Sequence, residues 1–121
     1  MSWVDDAVRD FGRGMGLERL ALPEAGALAL AFERRGTLHL QRGEGCLLAF
    51  LSRDYPFAAL SLLRGALEAC HYREQRGWPV QAGLHGDTLV LLVRIPEAEV
   101  SLPVIERVLD QLTELHDRLS G

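Results

Sequence analysis

The sequence predicts an α+β fold: a twisted five-stranded antiparallel sheet with three helices, in the order α-β-β-β-α-β-β-α, as a single domain over residues 1–121. Three observations predict it. Apolar residues recur with the helical period of 3.6 in some segments and with the strand period of two in others. Short turn sequences separate neighbouring strand-like runs, which makes hairpins and leaves no room for parallel crossovers. Composition is that of an ordinary folded chain, 48% hydrophobic and 25% charged over 121 residues, and such a chain buries roughly two-thirds of its unfolded surface.

The first helix is expected over residues 2–14. The Ser2 hydroxyl can accept the amide proton of Asp5, and Asp5 and Asp6 sit where the helix dipole favours acids. Val4, Ala7, Val8, Phe11 and Met15 follow at helical spacing until Gly12, Gly14 and Gly16 weaken and end the helix. From Gly26 the period is two, with Leu28, Leu30 and Phe32 on one side and Ala27, Ala29 and Ala31 on the other. After a tight turn at Arg35-Gly36, Thr37, His39 and Gln41 alternate with Leu38 and Leu40 in a half-exposed strand. Gly43-Glu44-Gly45 turns again. The run Cys46 to Leu51 is apolar throughout and reads as a strand covered on both faces.

Asp54-Tyr55-Pro56 opens the second helix, with proline pre-set for a first turn, and the helix is expected to reach about Glu74. Phe57, Leu60, Leu63, Leu67 and Cys70 form one stripe on it, while Ala58, Ala59, Leu62, Ala66 and Ala69 cover most of the remainder. A surface helix has one apolar stripe and a polar back, so a helix apolar nearly all round is buried on two sides. The rest of so small a chain has little to cover the second side, and a partner subunit is expected there. The expected interface comprises Ala59, Leu62, Leu63, Ala66 and Ala69, continued by Trp78, Val80 and Ala82. Val80 to His85, a Gly86-Asp87 turn and Thr88 to Ile95 form the second hairpin, and its Leu89–Val93 run belongs in the middle of the sheet. Ser101 and Pro103 start the last helix. Its inner stripe is Leu102, Ile105, Val108, Leu109, Leu112, Leu115 and Leu119, with Glu106, Asp110, Glu114 and Asp117 on the solvent side.

Several functions are disfavoured by the same residues. The formal charge is −4 with acids and bases interspersed, and all 13 basic residues are scattered arginines, so no basic stripe faces a nucleic acid. The N-terminus is acidic and lacks the apolar region of a signal peptide, and no run approaches the ~20 apolar residues of a membrane span. Cys46 and Cys70 lie in apolar runs and read as buried thiols of a cytoplasmic protein. Cys70-His71 is the one adjacent thiol–imidazole pair, but neighbours on a helix point about 100° apart and do not face each other. His39, His85 and His116 have no partner at metal-ligand spacing. The acids of the last helix are spaced for a solvated face, and Gly12 to Gly16 lacks the residues of a phosphate loop. No catalytic residue, cofactor or metal is expected.

What remains is apolar surface in excess of one small core. Leu28, Leu30, Phe32, Leu38 and Leu40 can be core on one sheet face. Alternatively, with Trp3 and Phe11, they form a groove that takes an extended peptide by strand addition at an open sheet edge.

The order of elements, with its apolar middle helix and acidic balance, resembles the class I chaperones of type III secretion. Met1-Ser2-Trp3-Val4, Gly36-Thr37-Leu38-His39-Leu40-Gln41, Ala82-Gly83-Leu84-His85-Gly86 leading into Leu89-Val90-Leu91, and Ser101-Leu102-Pro103 are similar to segments of the SycN family, in order and across the whole chain. The resemblance implies a type III secretion chaperone fold and a heterodimer with a YscB-like subunit. It also implies a cargo, the N-terminal segment of a YopN-type secretion gatekeeper. A homodimeric effector chaperone is the alternative. The chain departs from these relatives in its arginine-rich composition and in Asp5-Asp6.

Overall fold

A computed structural model describes residues 3–17, 20–72 and 78–120, without the side chains of residues 70–72. The elements are α1 (Trp3–Gly14), β1 (Ala27–Phe32), β2 (Gly36–Gly43), β3 (Cys46–Asp54), α2 (Ala59–Tyr72), β4 (Val80–His85), β5 (Thr88–Pro96), a short 3-10 turn (Glu97–Glu99) and α3 (Leu102–Ser120). The expected element order holds. The Ser2 cap and the end of the second helix near Glu74 lie outside the described residues.

The strands form one antiparallel sheet in the order β1-β2-β3-β5-β4. Two hairpins are joined through the β3–β5 pair, so the apolar runs at Leu47–Leu51 and Leu89–Val93 lie inside the sheet as expected. Register puts Leu30, Leu38, Leu51, Leu91 and Ala82 in one row across all five strands, and Leu28, Leu40, Ala49, Val93 and Val80 in the next. Paired residues of an antiparallel ladder share a face. These rows therefore build a single apolar side, and it carries the core.

All three helices contribute to that core. Val4, Ala7, Val8 and Phe11 come from α1, Ala66 from α2, and Ile105, Val108, Leu109, Leu112 and Leu115 from α3. Ser101 caps α3, its hydroxyl accepting the Val104 amide at 3.3 Å, and Ile105 begins the helical ladder by donating to the Ser101 carbonyl. Gly16 closes α1 in the left-handed region (φ +82°), a conformation that favours glycine.

The opposite sheet face stays open, which corrects the expectation that β3 is covered on both sides. Ala29, His39, Phe50, Leu92 and Gln81 form one row there. Leu48, Phe50, Val90 and Leu92 are only half-buried and take no part in the core. A second difference concerns the start of α2. Asp54 still pairs with Thr88, whose hydroxyl donates to the Asp54 carboxylate, and the Tyr55 amide donates to the Asp87 carbonyl. The strand ladder thus outlasts the Pro56 signal, and the helix begins at Ala59 after a turn.

Candidate protein-binding surfaces

Among the described residues two sheet edges are open, β4 and β1, and each carries apolar side chains. At the β4 edge, α2 lies against β4 and closes over Val80, with Ala82 and Leu84 half-buried. Gln111 of α3 fixes the entry to β4. Its Nε2 donates to the Trp78 carbonyl at 2.7 Å, and its Oε1 accepts the Trp78 amide at 3.3 Å.

Ala59 and Ala66 of α2 point into the molecule, and Ala66 has no exposed surface. Gly65 sits so close to Leu119 of α3 that a Cβ there would press on its Cδ2. Small residues on this side let the helix backbone approach α3 and the sheet. Two bulky residues of α2 are turned outward, Leu60 60% exposed and Leu67 49% exposed, and Phe57 in the turn before the helix is fully exposed. Exposed large hydrophobic side chains gathered at one place mark an interaction surface.

The expected interface is therefore corrected in part. Ala59, Ala66 and Val80 are buried within the chain itself, because their size suits close packing against α3 and the sheet. Leu62, Leu63, Ala69, Trp78 and Ala82 are half-buried and pack on the core with part of their surface free. Leu60 and Leu67, placed by the sequence in the opposite stripe, make the outward face of α2, and Phe57 of the same expected stripe is exposed in the turn before it. Both stripes are apolar, so periodicity alone could not choose between them.

At the β1 edge the outer backbone groups have no neighbouring strand. Leu28, Leu30 and Phe32 are half-buried beside the core, and Ala27, Ala29 and Ala31 are exposed. Leu38, Leu40 and Phe11, grouped with them as cargo-facing, are buried by the helices and offer no surface to a ligand in this conformation. Trp3 is exposed. Its indole N–H donates to the Glu97 carbonyl at 2.8 Å, which places it at the end of the sheet where β1 starts. Arg42 of β2 pairs with Asp5 and ties α1 to the sheet at the same end. The peptide-binding candidate narrows to Leu28, Leu30 and Phe32 at the β1 edge, with Trp3 exposed apart from them beyond the end of β5.

The open sheet face is a third apolar surface. His39 stacks on Phe50, with ring centres 4.8 Å apart and planes 7° from parallel. At one end the sheet forms an open hollow of about 690 Å³ lined by residues that include Phe32, His39, Asp54, His85 and Thr88. Side-chain parity in the β3 and β5 runs would have signalled this face, because Leu48, Phe50, Val90 and Leu92 are all on the parity opposite to the core.

His39, Asp54 and His85 line the open hollow of the sheet. The Cys70-His71 side chains lie outside the described residues. Among those described, no three His, Cys, Asp or Glu side chains gather as a metal site. His116 is a core residue bonded to Tyr55 and the Leu51 carbonyl. Of the acids on α3, Asp110 pairs with Arg35 and Asp117 with Arg53, both at 2.9 Å, fastening the helix to the sheet. No helix of the described residues is long and apolar enough to cross a membrane.

Comparison with known proteins agrees with a binding role. The SycN chaperone of Yersinia pseudotuberculosis is 25% identical over 121 residues, covering 98% of each chain. The type III secretion chaperone SycH of Yersinia pestis, solved in complex with a stable fragment of YscM2, superposes with a TM-score of 0.66 at 18% identity, covering 97% of each chain. The HopA1–SchA chaperone–effector complex gives a TM-score of 0.72 at 19% identity, covering 98% of this chain and 94% of the other. The family profile of the type III secretory system chaperone SycN matches residues 3–120. With its profile matched over residues 3–120 and its fold shared with secretion chaperones, the chain belongs to the SycN family of type III secretion chaperones.

Proposed function

We propose that this chain is one subunit of a heterodimeric chaperone in the cytoplasm, paired with a YscB-like subunit through α2 and the β4 edge. Its cargo is the N-terminal segment of a YopN-type gatekeeper, which the pair keeps competent for secretion. The observation that carries the pairing is the outward side of α2, with Leu60 and Leu67 exposed beside an edge strand and Phe57 exposed in the turn before the helix. A fold of similar shape on the partner would supply an apolar helix of the same kind, and two such stripes bury each other. Family membership supports the chaperone role, and the similar structures include chaperones bound to effector or partner chains.

At the other edge, an extended cargo segment adds to β1. Its backbone satisfies the free N–H and C=O groups of Ala27–Phe32, and alternate side chains rest on Leu28, Leu30 and Phe32. Trp3 is exposed beyond the end of β5, with β2 and β3 between it and the β1 edge. Function here is binding, without covalent chemistry.

Co-expression tests the reading. The chain, a YscB-like subunit and the gatekeeper's N-terminal segment are produced together, and subunit composition is measured by native mass spectrometry. A 1:1 pair carrying one cargo segment is expected. A homodimer that takes the cargo alone would replace the heterodimer by the alternative, and a soluble monomer that ignores both would overturn the proposal.

A further inference from the structure

A buried polar chain links three elements where β3 leaves the sheet for α2. His116 of α3 has no exposed surface. Its Nε2–H donates to the Leu51 carbonyl of β3 at 2.9 Å, so Nδ1 is the bare nitrogen and accepts the hydroxyl proton of Tyr55 at 3.0 Å. The two rings lie 6.0 Å apart, 25° from parallel. Tyr55 is also the hinge into α2: its amide is held by Asp87, and its carbonyl accepts the amides of Ala58 and Ala59.

The charged groups around His116 are already engaged. Arg53 of β3 donates from Nε to the Arg35 carbonyl at 2.7 Å and pairs through Nη1 with Asp117 of α3. Its Nη2 is buried without a partner. The described contact of α2 with α3 here is apolar, Gly65 against Leu119, and Arg64 and Glu68 lie on its exposed side. The charges of α1 pair along its outer face, Asp6 with Arg9 and Asp10 with Arg13.

We propose that the Tyr55–His116–Leu51 chain is a proton-sensitive latch that holds α3 and the lead into α2 against the sheet at neutral pH and releases them on acidification. A second proton on the ring must go to Nδ1. That turns an acceptor into a donor, so the Tyr55 hydroxyl has to rotate and send its own proton elsewhere. The new cation would stand without solvent beside the Arg53 guanidinium, while Asp117, the nearest anion, is held by that same arginine.

Burial is the largest cause that pushes the His116 pKa below its usual 6.5. The Arg53 charge pushes in the same direction, while the bond to Leu51 and the Asp117 charge oppose it. The closed latch therefore keeps its full stability above pH 6.5. As pH falls below 6.5 that stability is lost, because the open form binds a proton that the closed form refuses. The effect on pairing rests on the function proposed above, since Phe57, Leu60 and Leu67 follow directly on Tyr55. The latch itself does not depend on it.

Backbone amide exchange on the purified complex, corrected for the intrinsic pH dependence of exchange, tests the latch. Between pH 7.5 and 5.5, opening of residues 54–62 and of the second half of α3 should increase by up to about tenfold. His116→Gln, which offers a donor and an acceptor but takes no proton, should abolish this step. His85→Gln, at an exposed position, should keep it. Tyr55→Phe removes the hydroxyl but leaves the ring buried beside Arg53, so it should raise opening at pH 7.5 and keep a step on acidification. Exchange of the unaltered protein that is flat across this range would overturn the proposal, as would a full step retained in His116→Gln. If His116→Gln does not fold, NMR titration of the His116 ring in the unaltered protein decides: a ring that takes its second proton with no rise in opening overturns the proposal.

Discussion

Replacing Leu60 and Leu67 together by alanine tests the partner-facing assignment of α2. Each substitution removes three carbon groups from a side chain that is 60% or 49% exposed in the free chain. At roughly 0.8 kcal/mol per buried CH₂, the accessible part of Leu60 is worth about 1.4 kcal/mol on burial and that of Leu67 about 1.2. The pair should weaken subunit association by ~2–3 kcal/mol, roughly a 30- to 150-fold rise in Kd. Stability of the chain itself should change little, because these atoms are in solvent before pairing. Sedimentation equilibrium of the double variant with its partner reads the Kd, and urea unfolding reads the fold. A Kd within twofold of the starting protein, with the chain folded, would refute the assignment. Ala66→Arg cannot substitute for this test. Ala66 has no exposed surface, so an arginine there would break the fold before it reported on pairing.

Three further outcomes follow from single positions. Leu112→Ala empties a fully buried site between α3 and the sheet and should cost ~2–5 kcal/mol in urea unfolding, with no direct effect on either binding surface. Gly36→Ala puts a Cβ at φ +110° against the Ser52 carbonyl and Arg53, and should cost ~1–3 kcal/mol or shift the β1–β2 turn, read as a lower thermal midpoint. Leu30→Asp, at a half-buried edge position, should reduce affinity for the gatekeeper segment at least tenfold in calorimetry while leaving subunit pairing unchanged.

Much of the fold was legible because local signals agreed with one another. The period of two in Leu28, Leu30 and Phe32, the capping Ser101 and the Gly86-Asp87 turn each specify a local geometry, and all are compatible with one sheet. Two features were not legible. The start of α2 depended on competition between Pro56 and a ladder that still held Asp54 to Thr88, and only the register of β5 decides that contest. The facing of α2 depended on which stripe could approach α3 and the sheet. Gly65 and Ala66 win that place through their small size, a matter of close packing between elements distant in sequence. Reading bulk as core sends Leu60 and Leu67 the wrong way. The same packing argument sorts the cargo candidates: Leu38 and Leu40 sit one strand inward of Leu30 and Leu28, and that single step takes them under the helices.

The strand order leaves room for both proposed partners on one small chain. The surface assigned to a second subunit lies at β4, and the edge assigned to cargo is β1, at opposite ends of β1-β2-β3-β5-β4. Four strand spacings of about 4.8 Å separate them by roughly 19 Å. Neither partner need displace the other, and β3 and β5 between them pair with each other along their full lengths. Contacts this far apart with no shared side chain should act independently, so the effects of Leu30→Asp and of the Leu60/Leu67 pair should add to within ~0.5 kcal/mol. Strong coupling between them would mean that cargo and subunit meet on one surface, which the two open edges of this sheet do not require.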